Sequence, residues 1–177
     1  YYRPDVVIEA LGKLDNGFAS GIKFIIMGRS DESSAIEMQK LARKFGLQNS
    51  IIFLGEQKRD NVARILSCCD LGVVPYDDNP LWTYAQPRKF FDYCASGLPV
   101  VATVLEDSEL ASLVAKYNIG YVAEPLNVAS VASAVRKFCS LSQDERKAMS
   151  ERARSLAVSS FDKLKIAEKL VETLQRV

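Results

Sequence analysis

Residues 87–103 read PRKFFDYCASGLPVVAT, and this stretch decides the fold. We expect Pro87 at the first position of a helix, because a proline there loses no hydrogen bond. Gly97 is a typical helix stop, and the apolar run over residues 98–103 is typical of a strand buried on both faces. A helix followed directly by such a strand predicts one unit of a parallel α/β sheet.

The same alternation continues in both directions along the chain. We expect Ser33 and Ser34 to open the second helix, Gly46 to end it and Asp60 to cap the third. Strands are predicted at residues 23–27, 50–55, 71–75, 98–103 and 119–123, with helices at 4–18, 33–45, 60–68, 87–96 and 107–116 and three helical segments after them. This order predicts an α/β fold: a doubly wound, Rossmann-like parallel sheet with helices on both faces.

The composition limits the class of protein. With 177 residues, 48% of them hydrophobic, we expect residues 1–177 to form a single domain. The net charge of +1 argues against nucleic acid as a partner. No apolar run approaches the roughly 20 residues that a membrane span needs, and no signal-peptide pattern opens the sequence. Because the sequence lacks an initiating methionine, we expect a fragment of a longer protein.

Histidine is absent, which excludes Ser-His-Asp triads, Cys-His dyads and histidine-based zinc sites. No catalytic residue is assigned from the sequence. Four cysteines lack the spacing of metal ligands, so we expect no metal: Cys68, Cys69, Cys94 and Cys139. They are typical of reduced core thiols in a cytoplasmic protein.

Ligands of an open parallel sheet bind beyond the carboxyl ends of its strands. Gly28 and Gly55 each end a strand there, and without a Cβ they let a ligand approach the backbone. The helix at Pro87 directs unpaired N–H groups at the same edge, which favours an anion. Arg88 and Lys89 lie in its first turn, where cations oppose the helix dipole. Either an anion such as phosphate compensates them, or both side chains point to water.

Three more side chains near this edge have two interpretations each. Asp92 either accepts hydrogen bonds from the ribose hydroxyls of a nucleotide or pairs with Lys89 on the same helix face. Trp82 and Tyr84 lie in a polar loop over residues 76–86. They either stack on a base or a sugar, or anchor the loop.

The segments KFIIMG (23–28), NSIIFLG (49–55) and CDLGVVP (69–75) precede PRKFFDYCASGLPVVA (87–102). The last one resembles the "P-x-K-x-x-E-Y-x-A-x-G-x-P-V-V-A" block of the family-four retaining glycosyltransferases of the GT-B type, the group 1 glycosyltransferases. The resemblance covers nearly the whole chain and corresponds to the C-terminal, donor-binding half. It implies retaining transfer of a hexose from a UDP- or GDP-linked sugar to an acceptor. The first residues resemble the helix after that half's first strand, so we expect this strand to precede the chain.

The resemblance also implies roles for individual residues. The donor diphosphate would rest on the backbone amides of Arg88 and Lys89, and Asp92 stands where the family has a ribose-binding Glu. The base would be held by the loop with Gly55, Glu56, Gln57 and Arg59. Since the helix dipole and cations can stabilise the diphosphate, we expect no metal.

Three features depart from the family pattern. The Arg and Lys that normally clamp the phosphates from the first strand and helix are not visible as a motif, and Arg3 is a weak substitute for them. Asp92 is one methylene shorter than the usual Glu. Tyr84 stands where the family has a second acid that contacts the sugar, so this contact is either absent or moved to Asp77 or Asp78.

The acceptor site of such enzymes lies mainly in their N-terminal half. We therefore expect residues 1–177 to bind a nucleotide without turnover, and any membrane association to depend on the other half. The expected product is a polysaccharide or glycoconjugate. Two alternatives stay open: a GT-B nucleotide-sugar epimerase domain, which the absence of histidine weakens, and a degenerate nucleotide-binding or interaction module, which Tyr84 favours.

Overall fold

The computed structural model describes residues 2–19 and 21–175. Helices and strands alternate along the chain, as the sequence predicts. In chain order they are α1 (Pro4–Gly12), α2 (Asn16–Ala19), β1 (Phe24–Met27), α3 (Glu32–Lys44), β2 (Ile51–Gly55), α4 (Arg59–Leu66), β3 (Gly72–Pro75), a 3-10 turn (Pro80–Thr83), α5 (Arg88–Ala95), β4 (Val100–Thr103), α6 (Glu109–Tyr117), β5 (Gly120–Ala123), α7 (Val128–Cys139), α8 (Gln143–Ser160) and α9 (Lys163–Leu174).

Every strand ladder among the described residues is parallel. β1 pairs with β2, with Phe24 opposite Ile51. β4 lies between β3 and β5, with Val100 opposite both Gly72 and Gly120. The ladders therefore form a two-stranded sheet, β1-β2, and a three-stranded sheet, β3-β4-β5. The sequence pattern predicted the strands and their parallel pairing but not this division.

Helices cover two faces, and each face has its own apolar core. On one face α1 and α7 pack together, with Val7, Ile8 and Val131 almost fully buried. On the other face α5 packs against α8, with Phe90 and Cys94 fully buried. The two cores confirm the doubly wound arrangement.

Several predicted boundaries are wrong in detail. Asp31, not Ser33 or Ser34, caps α3, because its carboxylate accepts the Ser34 N–H at 2.8 Å. Asp60 lies in the first turn of α4 and does not cap it, and Pro87 is the N-cap of α5 rather than its first residue. The predicted first helix divides into α1 and α2, whereas Gly46 follows α3 with the expected positive φ of 69°.

The cysteines are free thiols, but only one has a fully buried side chain. Burial raises the pKa of the Cys94 thiol to about 12, which suppresses its reactivity. Cys69 and Cys139 are half-buried, and Cys68 is exposed, so the expectation of core thiols is wrong for Cys68.

Candidate functional site

Gly28 and Gly55 meet at the carboxyl ends of β1 and β2. The Gly28 N–H donates to the Gly55 carbonyl oxygen at 2.9 Å. Their φ angles are +140° and +62°, which side chains rarely tolerate, and a Cβ built at either position meets no atom within 4 Å. The backbone conformation therefore requires glycine at an edge of the sheet that is open to a ligand.

The side chains after these glycines contact each other or their own turns. Arg29 and Glu56 form an exposed ion pair at 3.1 Å that connects the two loops. The Gln57 amide donates to the Leu54 carbonyl at 2.6 Å. Arg59 is exposed at the first position of α4. Of the predicted base-binding residues, Glu56 and Gln57 thus have partners within the chain, whereas Arg59 projects into solvent.

The N-terminus of α5 has no side-chain cap. The Pro87 side chain offers no acceptor, and within residues 2–19 and 21–175 no acceptor contacts the backbone N–H groups of Arg88 and Lys89. Side chains cap five other helices: Asp31 caps α3, Ser108 caps α6, Asn127 caps α7, Ser142 caps α8 and Asp162 caps α9. The two unpaired amides and the positive end of the helix dipole are suited to an anion.

Arg88 and Lys89 point in different directions. The Arg88 side chain is 77% exposed, as expected if it points to water. The Lys89 ammonium lies 3.2 Å from the centroid of the Tyr2 ring. Burial lowers the pKa of Lys89 to about 8, and no carboxylate in the described part of the chain lies within ion-pair distance of it. Lys89 is therefore a partly buried cation next to an uncapped helix N-terminus.

The Tyr2 ring that contacts Lys89 belongs to a stack of three aromatic rings. The Tyr2 and Tyr76 rings are parallel, with centroids 5.3 Å apart, and Tyr76 stacks in turn on Trp82 at 4.6 Å. The Trp82 indole N–H donates to the Asp77 carboxylate. Trp82 therefore anchors its loop, which was one of the two interpretations of this residue. Sequence reasoning missed Tyr2 and Tyr76, since no local pattern indicates a contact between such distant positions.

The aspartates near the N-terminus of α5 have different partners. Asp92 pairs with Arg88, at 3.8 Å, and not with Lys89 as the alternative interpretation had it. A long, exposed pair of this kind contributes only a few tenths of a kcal/mol, so it leaves the Asp92 carboxylate available. Asp77 accepts hydrogen bonds from Trp82 and from the Asn79 N–H, and these lower its pKa. Asp78 is exposed.

Tyr84 does not anchor the loop. It follows the 3-10 turn and is 78% exposed, as is Leu81 to 72%. Both apolar side chains project into solvent from the loop that leads into α5.

Two concave regions of about 420 and 460 Å³ lie away from the candidate site, one beside Gly97 and Arg154 and one along α9. The described residues contain no cluster of three or more acids or cysteines that could hold a metal ion. None of the helices among them is both long and apolar enough to cross a membrane.

A doubly wound parallel domain with glycines at its strand ends and an uncapped helix at the same edge is typical of the Rossmann-like, nucleotide-binding class. Residues 1–156 match the family of group 1 glycosyl transferases, and the chain belongs to that family. No curated protein sequence matches it.

Solved structures share this fold. WaaG, a glycosyltransferase involved in lipopolysaccharide biosynthesis, is 24% identical to this chain, with a TM-score of 0.74. The match covers 96% of this chain and 42% of the WaaG chain. HepE of Anabaena, in complex with UDP and glucose, is 20% identical with a TM-score of 0.78 over 97% of this chain and 44% of its own. The C-terminal domain of the group 1 protein LpcC of Francisella tularensis is 16% identical with a TM-score of 0.73 over 91% of this chain and 80% of its own. The chain thus spans less than half of WaaG and of HepE.

Proposed function

We propose that this domain binds the sugar donor of a retaining hexosyltransferase, a UDP- or GDP-linked sugar, at the N-terminus of α5. One observation carries the proposal: the unpaired amides of Arg88 and Lys89 lie beside the partly buried Lys89 ammonium, which has no carboxylate partner among the described residues. The complex of HepE with UDP and glucose supports it, since that protein shares the fold.

The diphosphate would accept hydrogen bonds from the Arg88 and Lys89 amides and ion-pair with the Lys89 ammonium. Charge on the diphosphate grows as the bond to the sugar breaks, so these groups would stabilise the leaving group electrostatically. We propose that the helix dipole and Lys89 do this work without a metal ion. Arg88, which is exposed, would add charge from the solvent side.

The nucleoside would extend from α5 towards the ends of β1 and β2. Asp92 would accept hydrogen bonds from the ribose hydroxyls, and Gly28 and Gly55 would let the nucleoside approach the backbone. Glu56, Gln57 and Arg59 would contact the base. The exposed Tyr84 ring would stack on the donor's sugar or base.

We propose further that residues 1–177 are one domain, the C-terminal half of a two-domain enzyme whose N-terminal domain binds the acceptor. The isolated chain would then bind the nucleotide but not transfer the sugar. The full-length enzyme would act in the cytoplasm on a polysaccharide or glycoconjugate, with any membrane contact made by the N-terminal domain.

Titration calorimetry of residues 1–177 with UDP and GDP, and with ADP as the control nucleotide, tests the donor site. One of the first two should bind, and Asp92→Ala should weaken it at least several-fold. Glu37→Ala removes an exposed carboxylate from the middle of α3 and should leave the affinity unchanged. Equal affinities for Asp92→Ala and the unaltered chain would contradict the ribose contact.

Tyr84 favours a second candidate, a degenerate module that no longer handles the sugar. Tyr84→Glu separates the two proposals. In a donor-binding domain the added carboxylate should strengthen the binding of UDP-glucose more than that of UDP. In a degenerate module both affinities should stay as they were, or stay undetectable.

A further inference from the structure

The Lys89 side chain leaves α5 from its second residue and extends towards the start of the helix. Each Cα–Cβ bond of an α-helix tilts towards the N-terminus, so a side chain in the first turn lies over the backbone before it. The Lys89 ammonium reaches the Tyr2 ring, 3.2 Å from its centroid. Lysine has a long, flexible stem whose ordering costs conformational entropy. A contact that fixes the ammonium therefore decides whether its charge stays at the uncapped end of α5.

Backbone contacts hold Tyr2 against the carboxyl end of β3. Tyr2 forms an antiparallel bridge with Tyr76, and the N–H of Arg3 donates to the Pro75 carbonyl at 2.7 Å. The buried Thr103 hydroxyl donates in turn to the Tyr76 carbonyl at 2.7 Å. These bonds join the segment that precedes α1 to the carboxyl ends of β3 and β4, beside which α5 begins.

The Tyr2 ring is also fixed, because it belongs to the aromatic stack. The planes of Tyr2 and Tyr76, and those of Tyr76 and Trp82, lie 6° from parallel. Tyr76, in the middle, is only 3% exposed, whereas Tyr2 is 38% exposed. Tyr2 is thus the outer ring of a packed stack. An ammonium on its surface gains the attraction between a cation and the π electrons of the ring.

The ring holds the Lys89 ammonium without neutralising it. Other charged groups around the contact have partners of their own: Arg3 with Asp5, Asp92 with Arg88, and Asp77 with the Trp82 indole. No carboxylate within residues 2–19 and 21–175 forms an ion pair with Lys89. A carboxylate in the place of the Tyr2 ring would fix the lysine equally well, but it would cancel the charge that attracts an anion.

We propose that Tyr2 is a positioning residue of the donor site: its ring keeps the Lys89 ammonium at the N-terminus of α5, with its charge available to the diphosphate. The inference rests on the donor site proposed above. Because the ammonium is held before the ligand arrives, the ligand loses less free energy in ordering the lysine. The stack beneath Tyr2 also joins this lysine to the loop that contains Trp82.

NMR of the chain with isotope-labelled lysine tests the position of Lys89 in the absence of a ligand, and Lys89→Arg identifies its signal. A proton above an aromatic ring is shifted upfield. The Lys89 protons next to the ammonium should therefore be shifted in the unaltered chain and in Tyr2→Phe, which keeps the ring, and not in Tyr2→Ala. Tyr2→Ala should also raise the pKa of Lys89 from about 8 towards its ordinary value of 10.5, because water then reaches the ammonium.

Titration calorimetry at pH 7 with UDP, and in parallel with pyrophosphate, tests the consequence for binding. Tyr2→Ala should bind both ligands about fivefold more weakly, the size expected for the loss of one cation–aromatic contact. Tyr2→Phe should bind them as the unaltered chain does. The matched control is Tyr117→Ala, which removes a half-buried ring at the end of α6 that lies 5.3 Å from the Lys116 ammonium and should change neither affinity.

Pyrophosphate separates this inference from the donor proposal, because it probes the anion site without a ribose or a base. If UDP binds no better than pyrophosphate, the donor proposal fails, and the effect of Tyr2→Ala on pyrophosphate still decides the inference. Equal pyrophosphate affinities of Tyr2→Ala and the unaltered chain would overturn the inference. So would a Lys89 signal that does not respond to Tyr2→Ala, and the absence of binding of either ligand would overturn both proposals.

Discussion

Raising the pH from 7 to 9 should weaken the binding of UDP to this domain about tenfold. Burial beside the Tyr2 ring lowers the pKa of Lys89 to about 8 from its ordinary value of 10.5. Lys89 therefore loses its charge within this interval, whereas an exposed lysine keeps its charge throughout. The diphosphate would bind the ammonium form, so its affinity should follow the titration of Lys89.

The size of the expected change in UDP affinity follows from the pKa of Lys89. With a pKa of about 8, roughly nine-tenths of the molecules carry a charged Lys89 at pH 7 and roughly one-tenth at pH 9. If only the charged form binds, the apparent dissociation constant is the intrinsic one divided by that fraction, which gives the tenfold change, or about 1.4 kcal/mol. A terminal phosphate ionises near pH 6, so its own charge hardly changes above pH 7.

Titration calorimetry at pH 7, 8 and 9 in buffers of different ionisation enthalpy measures both the affinity and the protons taken up. Binding should raise the pKa of Lys89, so proton uptake should be largest near and above pH 8. Lys89→Met should bind weakly at every pH, and Lys89→Arg should bind without the decline up to pH 9. Lys147→Met removes an exposed lysine on α8 and should behave as the unaltered chain.

Two results would refute this reasoning. Unchanged affinity and pH dependence in Lys89→Met would show that the ammonium does not contact the ligand. A tenfold decline that persists in Lys89→Arg would assign the titration to another group, such as the base of the nucleotide.

Four other measurements test the fold and its electrostatics. Lys89 keeps its proton up to about pH 10.5 in the unfolded chain but loses it near pH 8 in the folded chain, so the unfolded state binds more protons between these two values. The free energy of unfolding of the unaltered chain, minus that of Lys89→Met, should therefore rise from pH 8 to 10.5. Urea titrations of both proteins measure this difference. Phe90→Ala removes a fully buried ring that packs edge-on against Phe91 and Phe161, and should lower the free energy of unfolding by about 3–5 kcal/mol; an unchanged urea midpoint would contradict the packing. Gly120→Ala would place a Cβ against the Val100 carbonyl and should lower the free energy of unfolding, measured by thermal unfolding, by at least about 1–3 kcal/mol. Arg64→Ala, which removes an exposed side chain on α4, is the control. A loss of stability in Gly120→Ala no larger than that in Arg64→Ala would contradict the contact. Trp82→Ala removes the stack on Tyr76 and the hydrogen bond to Asp77, so limited proteolysis should cut the loop over residues 76–86 faster. The control is Leu81→Ala, which removes an exposed side chain from the same loop. Equal cleavage rates in the two variants would show that Trp82 does not hold the loop in place.

The strands could be predicted from the sequence because each is a short, continuous apolar run next to a glycine or a proline. The run over residues 98–103, for example, contains β4, and the run at 119–123 contains β5. Their order in space could not be predicted in the same way. The division into the sheets β1-β2 and β3-β4-β5 depends on which strands share hydrogen bonds, and an apolar run has the same pattern at an edge as in the interior.

The candidate site was predictable in its local parts. Spacing alone put Arg88, Lys89 and Asp92 on the first turns of one helix, and the structure has them there. Spacing did not decide the pairing of Asp92. The Lys89 side chain lies against the Tyr2 ring, so the carboxylate pairs with Arg88, four residues earlier. Tyr2 belongs to a distant part of the chain, and its contact arises only from the packing of α1 beside β3.

Packing on one side of α5 fixes the groups that it presents on the other. Phe90 and Cys94 lie one turn apart, and both are fully buried in the core shared with α8. The buried Pro87 carbonyl accepts the Phe90 N–H at 2.9 Å, which sets the first turn of the helix. The core therefore holds the amides of Arg88 and Lys89 in place before any ligand arrives. An anion that binds there loses little free energy in ordering the protein, since preorganised groups need no further immobilisation. Tyr84, on its exposed loop, has no comparable support, so a contact through its ring would carry an ordering cost that the α5 contacts avoid.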